Sequence, residues 1–124
     1  MLIPAPAPST GPRRCAVLGS PVARRLQDLA GPVDLVVVAI PANCFEAAVD
    51  DALEMGARAI VGVTSGFAET GTAGRRVQDR VVRRVRAAGA VLVGPNCLGV
   101  HDSSTGLSLT SNPMPAGGVA LLSQ

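Results

Sequence analysis

Three nearly continuous aliphatic runs dominate the hydrophobic pattern of the chain. They are Val33–Ile40, Ala59–Val63 and Val91–Val93. Runs that are bounded by turn residues and do not alternate with polar residues are typical of parallel strands buried on both faces. The pattern therefore predicts an α/β fold, in which a parallel sheet is covered above and below by helices.

Two segments between these runs have the spacing of amphipathic helices. In the first, Asn43 and Glu46 have the form of a capping box, so we expect a helix to begin there and to stop at Gly56. The second helix is expected from about Gly74 to Ala88, with valines on one side, arginines on the other and a glycine stop. Strand, helix, strand, helix, strand is the order that builds a parallel sheet.

Each aliphatic run ends in a turn sequence. The first run stops at Pro41-Ala42-Asn43, the second at Thr64-Ser65-Gly66 and the third at Gly94-Pro95-Asn96. Glycine reaches backbone angles closed to other residues and proline fixes its own φ, so the third turn is predicted to be rigid and small. Open α/β sheets bind ligands where the carboxyl ends of their strands meet. We therefore expect the three turns to converge on one ligand-binding edge.

The remaining segments carry weaker signals. We expect a turn of helix at Cys15–Gly19 followed by a short extended piece, another helical turn at Arg24–Leu29, and a weak strand at Leu107–Leu109. The rest of the Ser-, Thr-, Gly- and Pro-rich segment up to residue 118 predicts no regular element. Val119–Gln124 has the composition of the start of a buried strand, which predicts that the chain is a piece of a longer protein.

Composition narrows the possible partners. Hydrophobic residues make up 48% of the chain but aromatic residues only 2%, so aliphatic side chains must build the core. The net charge is only +2, and no Trp or Tyr is present for base stacking. These two facts argue against a nucleic-acid partner.

The cysteines indicate neither a disulfide framework nor a metal site. Cys15, Cys44 and Cys97 lie far apart, and they form neither a CxxC motif nor a metal-like grouping with His101. Prolines follow Met1–Ile3 at once, so the start of the chain has no apolar core for a signal peptide. The longest aliphatic run is far too short to cross a bilayer. We therefore expect reduced thiols, no metal, no membrane and a cytoplasmic location.

Four motifs, taken together and in order, resemble one known family. They are Pro32–Ala42, Thr64–Glu69, Gly94–Val100 and Val119–Gln124. In this combination the chain, from about Gly19 onward, is similar to the CoA-binding domain of NDP-forming acyl-CoA synthetases. This family includes ADP-forming acetate-CoA ligase and the succinyl-CoA synthetase alpha subunit.

The resemblance implies a Rossmann-like parallel sheet with flanking helices, incomplete because the first strand, its Gly-rich loop and its helix are missing. The Pro-, Ala-, Ser- and Gly-rich start of the chain predicts an extended or disordered lead, which we place at 1–18. The resemblance implies a partial CoA-binding domain at 19–117 and, at 118–124, the first strand of a truncated, flavodoxin-like second domain. The phosphohistidine and the ATP-grasp module with its ATP or ADP and Mg would then belong to the remaining ligase domains or subunit. His101 precedes the second domain and is not expected to be that phosphohistidine.

The resemblance also implies which residues contact coenzyme A. The first turn would border the adenine end of coenzyme A, and the second turn would also contact the cofactor. The third turn would lie near the pantetheine arm. A basic residue near the N-terminus would face a phosphate. The implied CoA-binding residues are Ile40, Pro41, Ala42, Val63, Thr64, Ser65, Gly94, Pro95, Asn96, Cys97 and Arg13. No catalytic residue and no metal ligand is implied.

Several of these residues also have a simpler structural interpretation. Asn96 can stabilise its own turn, and Thr64 and Ser65 can cap the loop into the next helix. Cys97 has no His or Asn placed in sequence to activate it, so we expect it to line the site and not to act as a nucleophile. Glu69 is expected to favour a helix start and not to act as a base.

Three functions stay open at this point. The first is the CoA-binding segment of an NDP-forming acid-CoA ligase, which makes acyl-CoA through acyl phosphate and phosphohistidine intermediates but is not catalytic by itself. The second is the ligase-like region of a protein lysine acetyltransferase. The third is a stand-alone CoA- or nucleotide-binding module, although the absence of a GxGxxG fingerprint argues against a dinucleotide.

Overall fold

The computed structural model describes residues 16–112 and 114–121. In chain order its elements are strands β1 (Ala16–Val17) and β2 (Ser20–Pro21), a 3₁₀ helix (Leu26–Asp28), strand β3 (Leu35–Val38), helix α1 (Ala42–Glu54), strand β4 (Ala59–Gly62), a second 3₁₀ helix (Ala68–Thr70), helix α2 (Thr72–Ala87), and strands β5 (Val91–Val93), β6 (His101–Asp102) and β7 (Leu107–Ser108).

The three aliphatic runs form the predicted parallel sheet. Its spatial order is β3-β4-β5, and Val36 pairs with Ile60, which in turn pairs with Leu92. Both crossovers advance in the same direction across the sheet, so right-handed connections place both helices on one face. Accordingly α1 and α2 contact each other. The α/β prediction is confirmed, but in the described part of the chain α1 and α2 lie side by side and not above and below the sheet.

The core is formed where α1 and α2 cover the sheet. Phe45 and Val49 of α1 and Val81 of α2 are completely buried, as is Ile60 in the central strand. The ring of Phe45 packs edge-on against Phe67, with ring centroids 4.8 Å apart. The two phenylalanines of the chain are therefore in contact. Because Phe67 follows β4, this contact fixes the loop after β4 against α1.

The predicted capping box at the start of α1 is wrong. The helix begins at Ala42, its N-cap position is Pro41, and within residues 16–112 and 114–121 no side chain caps it. Glu46 instead reaches across to α2, where its carboxylate forms ion pairs with Arg80 and Arg84. Charge-assisted bonds from guanidinium groups are stronger than a bond from a neutral backbone N–H, and they lower the pKa of Glu46, Arg80 having the largest effect.

Glycine ends both helices as predicted. Gly56 follows α1 with φ +84° and Gly89 follows α2 with φ +71°, values that favour glycine. Helix α2 begins at Thr72, two residues before the predicted start, and Gly74 is buried in its first turn. A Cβ atom at Gly74 would overlap the carbonyl oxygen of Phe67, so only glycine lets the helix approach this closely.

The outer segments differ more from the predictions. Residues 16–21 form a hairpin and not a turn of helix, because Leu18 and Gly19 both have positive φ, as a type I′ hairpin turn requires. The helical turn within 24–29 and the weak strand at 107–109 are confirmed, but the partner strand β6 was not predicted. Residues 118–121 form no strand, and the rest of the predicted C-terminal strand lies outside the described residues.

Strand β5 lies at one edge of the sheet. Val91 and Val93 are 61% and 36% exposed, although Leu92 between them packs against the core. A shallow cleft of about 370 Å³ runs between β5 and the end of α2, and it is lined mainly by Val82, Val85 and Arg86 in addition to the strand. The edge of the sheet at β5 is therefore apolar and accessible in the described structure.

We predict that Gly74→Ala destabilises the protein, although alanine is the better helix former by roughly 0.5–1 kcal/mol. The added methyl group would overlap the carbonyl of Phe67, which accepts bonds from the N–H and hydroxyl of Thr70 at 2.9 and 2.7 Å. Urea denaturation should show a loss of about 1–3 kcal/mol in the free energy of unfolding. Gly117→Ala, which meets no atom within 4 Å, is the control. A more stable Gly74→Ala protein would contradict the close packing.

We also predict that Glu46→Gln removes an acid-sensitive part of the stability. The pKa of Glu46 is lowered from 4.5 in the folded protein, so its ion pairs stabilise the fold above that value and are lost as the pH falls through the folded pKa. Glu46→Gln should be less stable than the parent by up to about 1 kcal/mol at neutral pH. The difference should shrink in acid. Glu54→Gln, at an exposed position of the same helix, serves as the control. A difference that does not change with pH would refute the assignment.

Candidate functional site

The three turns that follow β3, β4 and β5 are joined directly by hydrogen bonds. The hydroxyl of Thr64, after β4, donates to the carbonyl of Ile40, after β3, at 2.8 Å. The carbonyl of Thr64 accepts the N–H of Asn96, after β5, also at 2.8 Å. The expectation that the turns share one edge is therefore confirmed. We call this surface, formed by residues 40–42, 63–66 and 94–97, the carboxyl edge.

Thr64 organises the carboxyl edge with both its side chain and its backbone. Besides donating to the Ile40 carbonyl, its Oγ1 accepts the N–H of Ile40 at 3.3 Å. The next residue back, Val63, continues the strand pairing by donating its N–H to Val38 at 3.1 Å. The threonine hydroxyl thus joins two strand ends, a role that neither sequence interpretation of Thr64 included.

The third turn is pressed against β4. Gly94 has φ +93° and precedes a cis peptide bond to Pro95, and a Cβ atom on Gly94 would overlap the carbonyl oxygen of Gly62. That same carbonyl accepts the thiol of Cys97 at 3.2 Å and its N–H at 3.4 Å. Only a glycine permits this approach. The turn is therefore rigid and close to the main chain of the central strand, as predicted.

Among the described residues, the thiol of Cys97 bonds only to backbone carbonyls. Its thiol donates to the backbone of the neighbouring strand. His101, the only histidine of the chain, has its Nδ1 atom 3.3 Å from the hydroxyl of Ser108. The thiol of Cys97 thus helps to hold the third turn against β4, and its expected place in the wall of a ligand site stays a prediction.

Asn96 supports its own turn through the backbone. It has φ +56°, a conformation that asparagine adopts more readily than most residues, and its N–H bonds to Thr64. Its side chain is exposed at the carboxyl edge, as are Pro41 and Ser65. The backbone of Asn96 is therefore structural, and its amide group is left accessible.

Two side-chain oxygens hold the loop that leads from β4 to α2. Glu69 accepts the N–H of Gly66 at 2.6 Å, and Gln78 of α2 accepts the N–H of Ala68 at 3.2 Å. The hydrogen bond from the Gly66 N–H is the largest of the backbone contacts that lower the pKa of Glu69. The expectation that Glu69 supports a helix start is confirmed by its position in the 3₁₀ helix. Sequence reasoning missed Gln78, although a polar residue among the valines on the covered side of α2 was a usable signal.

The carboxyl edge also contains the uncapped start of α1. No side chain of the described residues caps the helix, and its first turn has no acidic residue. The first N–H groups of a helix have no intrahelical acceptor and carry part of the positive end of the helix dipole. None of the three turns contains Asp or Glu. This part of the surface is therefore suited to an anionic ligand.

The structure brings together all of the predicted site residues that it describes. They are Ile40, Pro41, Ala42, Val63, Thr64, Ser65, Gly94, Pro95, Asn96 and Cys97, whereas Arg13 lies outside the described residues. In the described part of the chain, no three or more His, Cys, Asp or Glu residues are grouped to hold a metal ion. The same residues include no helix with the length and apolarity needed to span a membrane.

Comparison with known proteins supports this fold. The structure is similar to that of the dinucleotide forming acetyl-coenzyme A synthetase 1 of Ca. Korarchaeum cryptofilum in complex with phosphate and ADP, with a TM-score of 0.72 and 28% identity. The similarity covers 79% of this chain and 21% of that one. The Rossmann-like arrangement implied by the motifs is thereby confirmed.

Curated relatives give the same result. The chain is 29% identical over 109 residues to the alpha subunit of the ADP-forming acetate–CoA ligase II of Pyrococcus furiosus, covering 87% of this chain and 24% of the relative. It is 30% identical over 118 residues to the ADP-forming acetate–CoA ligase I of Archaeoglobus fulgidus, covering 94% of this chain and 17% of the relative. The chain thus spans about a quarter or less of the length of these relatives.

The family model described as CoA binding domain matches residues 9–103, which include β1 to β5 and all three turns of the carboxyl edge. The resemblance carried by the turn motifs is confirmed, and the chain belongs to the CoA-binding domain family.

Proposed function

We propose that the chain binds coenzyme A at the carboxyl edge, as the CoA-binding part of an NDP-forming acyl-CoA ligase. The observation that carries the proposal is the joining of the three turns by the bonds of Thr64 to Ile40 and Asn96. These bonds gather onto one surface the turns of three of the four motifs that resemble the family. When bound, coenzyme A supplies the thiol that takes up the acyl group.

The residues present fit the anionic part of the cofactor. Coenzyme A carries three phosphate groups, and the carboxyl edge offers the uncapped N-terminus of α1 with no acidic residue in its first turn. Phosphate is a common ligand of such helix ends because free N–H groups point at it. In this proposal Ala42 and Asn43 supply N–H groups to a phosphate, and the exposed ring of Pro41 lies beside the adenine.

The residues also fit the amide-rich arm. The exposed Ser65 and Asn96 offer a hydroxyl and an amide for the pantetheine. Thr64 and Cys97 contribute differently, since their side chains hold the turns in place. We propose Arg13, from outside the described residues, as an additional phosphate contact.

The reaction of the whole ligase belongs to the longer protein. We propose that acyl-CoA is made there through acyl phosphate and phosphohistidine intermediates, with ATP-grasp and phosphohistidine modules supplied by the remaining domains or by a partner subunit. This chain contributes the CoA site and no catalytic group. The names of the relatives, which are ADP-forming acetate–CoA ligases, favour this context over an acetyltransferase.

Isothermal titration tests the proposed ligand directly. We expect heat of binding with coenzyme A and none with NAD, because the site lacks the glycine fingerprint that holds a dinucleotide diphosphate. Titration with adenosine 3′,5′-bisphosphate and with pantetheine shows how much each end of the cofactor contributes to binding. Binding of NAD but not of coenzyme A, or of neither, would refute the proposal.

A single added charge tests the location of the site. Asn43→Asp places a carboxylate in the first turn of α1, where it should stabilise the helix but repel a bound phosphate. We expect the affinity for coenzyme A to fall roughly five- to tenfold, with unchanged or increased thermal stability. Asn112→Asp, an equal change at an exposed loop position, is the control and should bind like the parent. Equal affinity of Asn43→Asp and the parent would place the phosphates elsewhere.

A further inference from the structure

The exposed Ser65 lies between two anchored positions in the loop after β4. On one side Thr64 is bonded to Ile40 and to Asn96. On the other side the N–H of Gly66 donates to the carboxylate of Glu69 at 2.6 Å. The orientation of the peptide group between Ser65 and Gly66 is therefore fixed by the side chain of Glu69.

The backbone of Gly66 needs this hydrogen bond to Glu69 to keep its conformation. Its φ of +108° lies in the region that favours glycine, and glycine passes readily to other backbone angles. Without an acceptor for its N–H, the peptide group can turn and carry Ser65 with it. Gly66 also approaches α1, since a Cβ atom there would lie 3.0 Å from the Cβ of Ala42.

The rest of the loop is held by other means. Phe67 is 1% exposed and packs on Phe45, and the N–H of Ala68 bonds to Gln78. Glu69 is exposed and forms no ion pair within the described residues. Replacing it therefore removes no core contact, and its main effect falls on the Ser65–Gly66 peptide.

We propose that Glu69 is a positioning residue of the CoA site, whose carboxylate holds the Ser65–Gly66 peptide so that Ser65 faces the ligand. The inference rests on the proposed function and adds to it a residue that does not touch the cofactor. The proposal predicts the direction in which the affinity changes when Glu69 is removed. If Glu69 acted only through its negative charge, its removal would strengthen the binding of an anionic ligand, whereas loss of positioning weakens it.

The test compares Glu69→Ala and Glu69→Gln by titration with coenzyme A. Glu69→Ala should weaken affinity roughly tenfold, because no acceptor remains for the Gly66 N–H. Glu69→Gln keeps a side-chain oxygen in the same place and should retain most of the affinity. Glu54→Ala removes an equal charge from an exposed position outside the site and should bind like the parent. Thermal unfolding midpoints should be the same for all four proteins within a few degrees.

A second measurement follows the hydrogen bond between the Gly66 N–H and Glu69 directly. In the amide spectrum of the ¹⁵N-labelled protein, the Gly66 signal should shift between the parent and Glu69→Ala and return most of the way in Glu69→Gln. Equal or tighter binding by Glu69→Ala, equal weakening in both variants, or an unmoved Gly66 signal would each overturn the inference. Failure of the parent to bind coenzyme A would instead overturn the proposed function.

Discussion

The carboxyl edge depends on hydrogen bonds that connect the strand ends to one another. Parallel strands in register already end at similar heights, but the loops after them are free to diverge unless something joins them. Thr64 does this by bonding to Ile40 through its hydroxyl and to Asn96 through its carbonyl. A rigid surface made of three distant chain segments follows. The hydroxyl of Thr64 is engaged in these hydrogen bonds. Ser65 and Asn96 are therefore the polar side chains of the carboxyl edge that stay accessible to a ligand.

Packing on the helix-covered face of the sheet sets the position of the same loops. Phe45 occupies the space above Gly62, where a Cβ atom would lie 2.7 Å from the ring, and it contacts Phe67 beyond the end of β4. Gly74 in turn lets α2 approach the backbone of Phe67. Two aromatic rings and two glycines thereby couple the core to the edge, so a change in core volume is expected to move the site.

The sequence was sufficient for the sheet and its two helices because long aliphatic runs and amphipathic spacing are local signals. The hairpins at 16–21 and 101–108 have strands of only two residues, too short for any periodicity. The capping box at Asn43 failed for a different reason. Its partner Glu46 binds Arg80 and Arg84, more than thirty positions away, and a local pattern contains no information about them. The hydrogen bonds of Thr64 and Gln78 also join separate segments of the chain. The turns were therefore predictable from the sequence, but the hydrogen bonds that hold them were not.

The exposed edge of β5 has a practical consequence for the isolated chain. A strand at the edge of a sheet presents unpaired backbone groups, and Val91 and Val93 add apolar side chains to it. Such an edge is a template for pairing with an extended segment of another molecule, and it carries no lysine or proline to prevent this. Concentrated solutions of the chain are therefore exposed to strand-by-strand self-association, a hazard that arises from the geometry of the sheet and is independent of the ligand site.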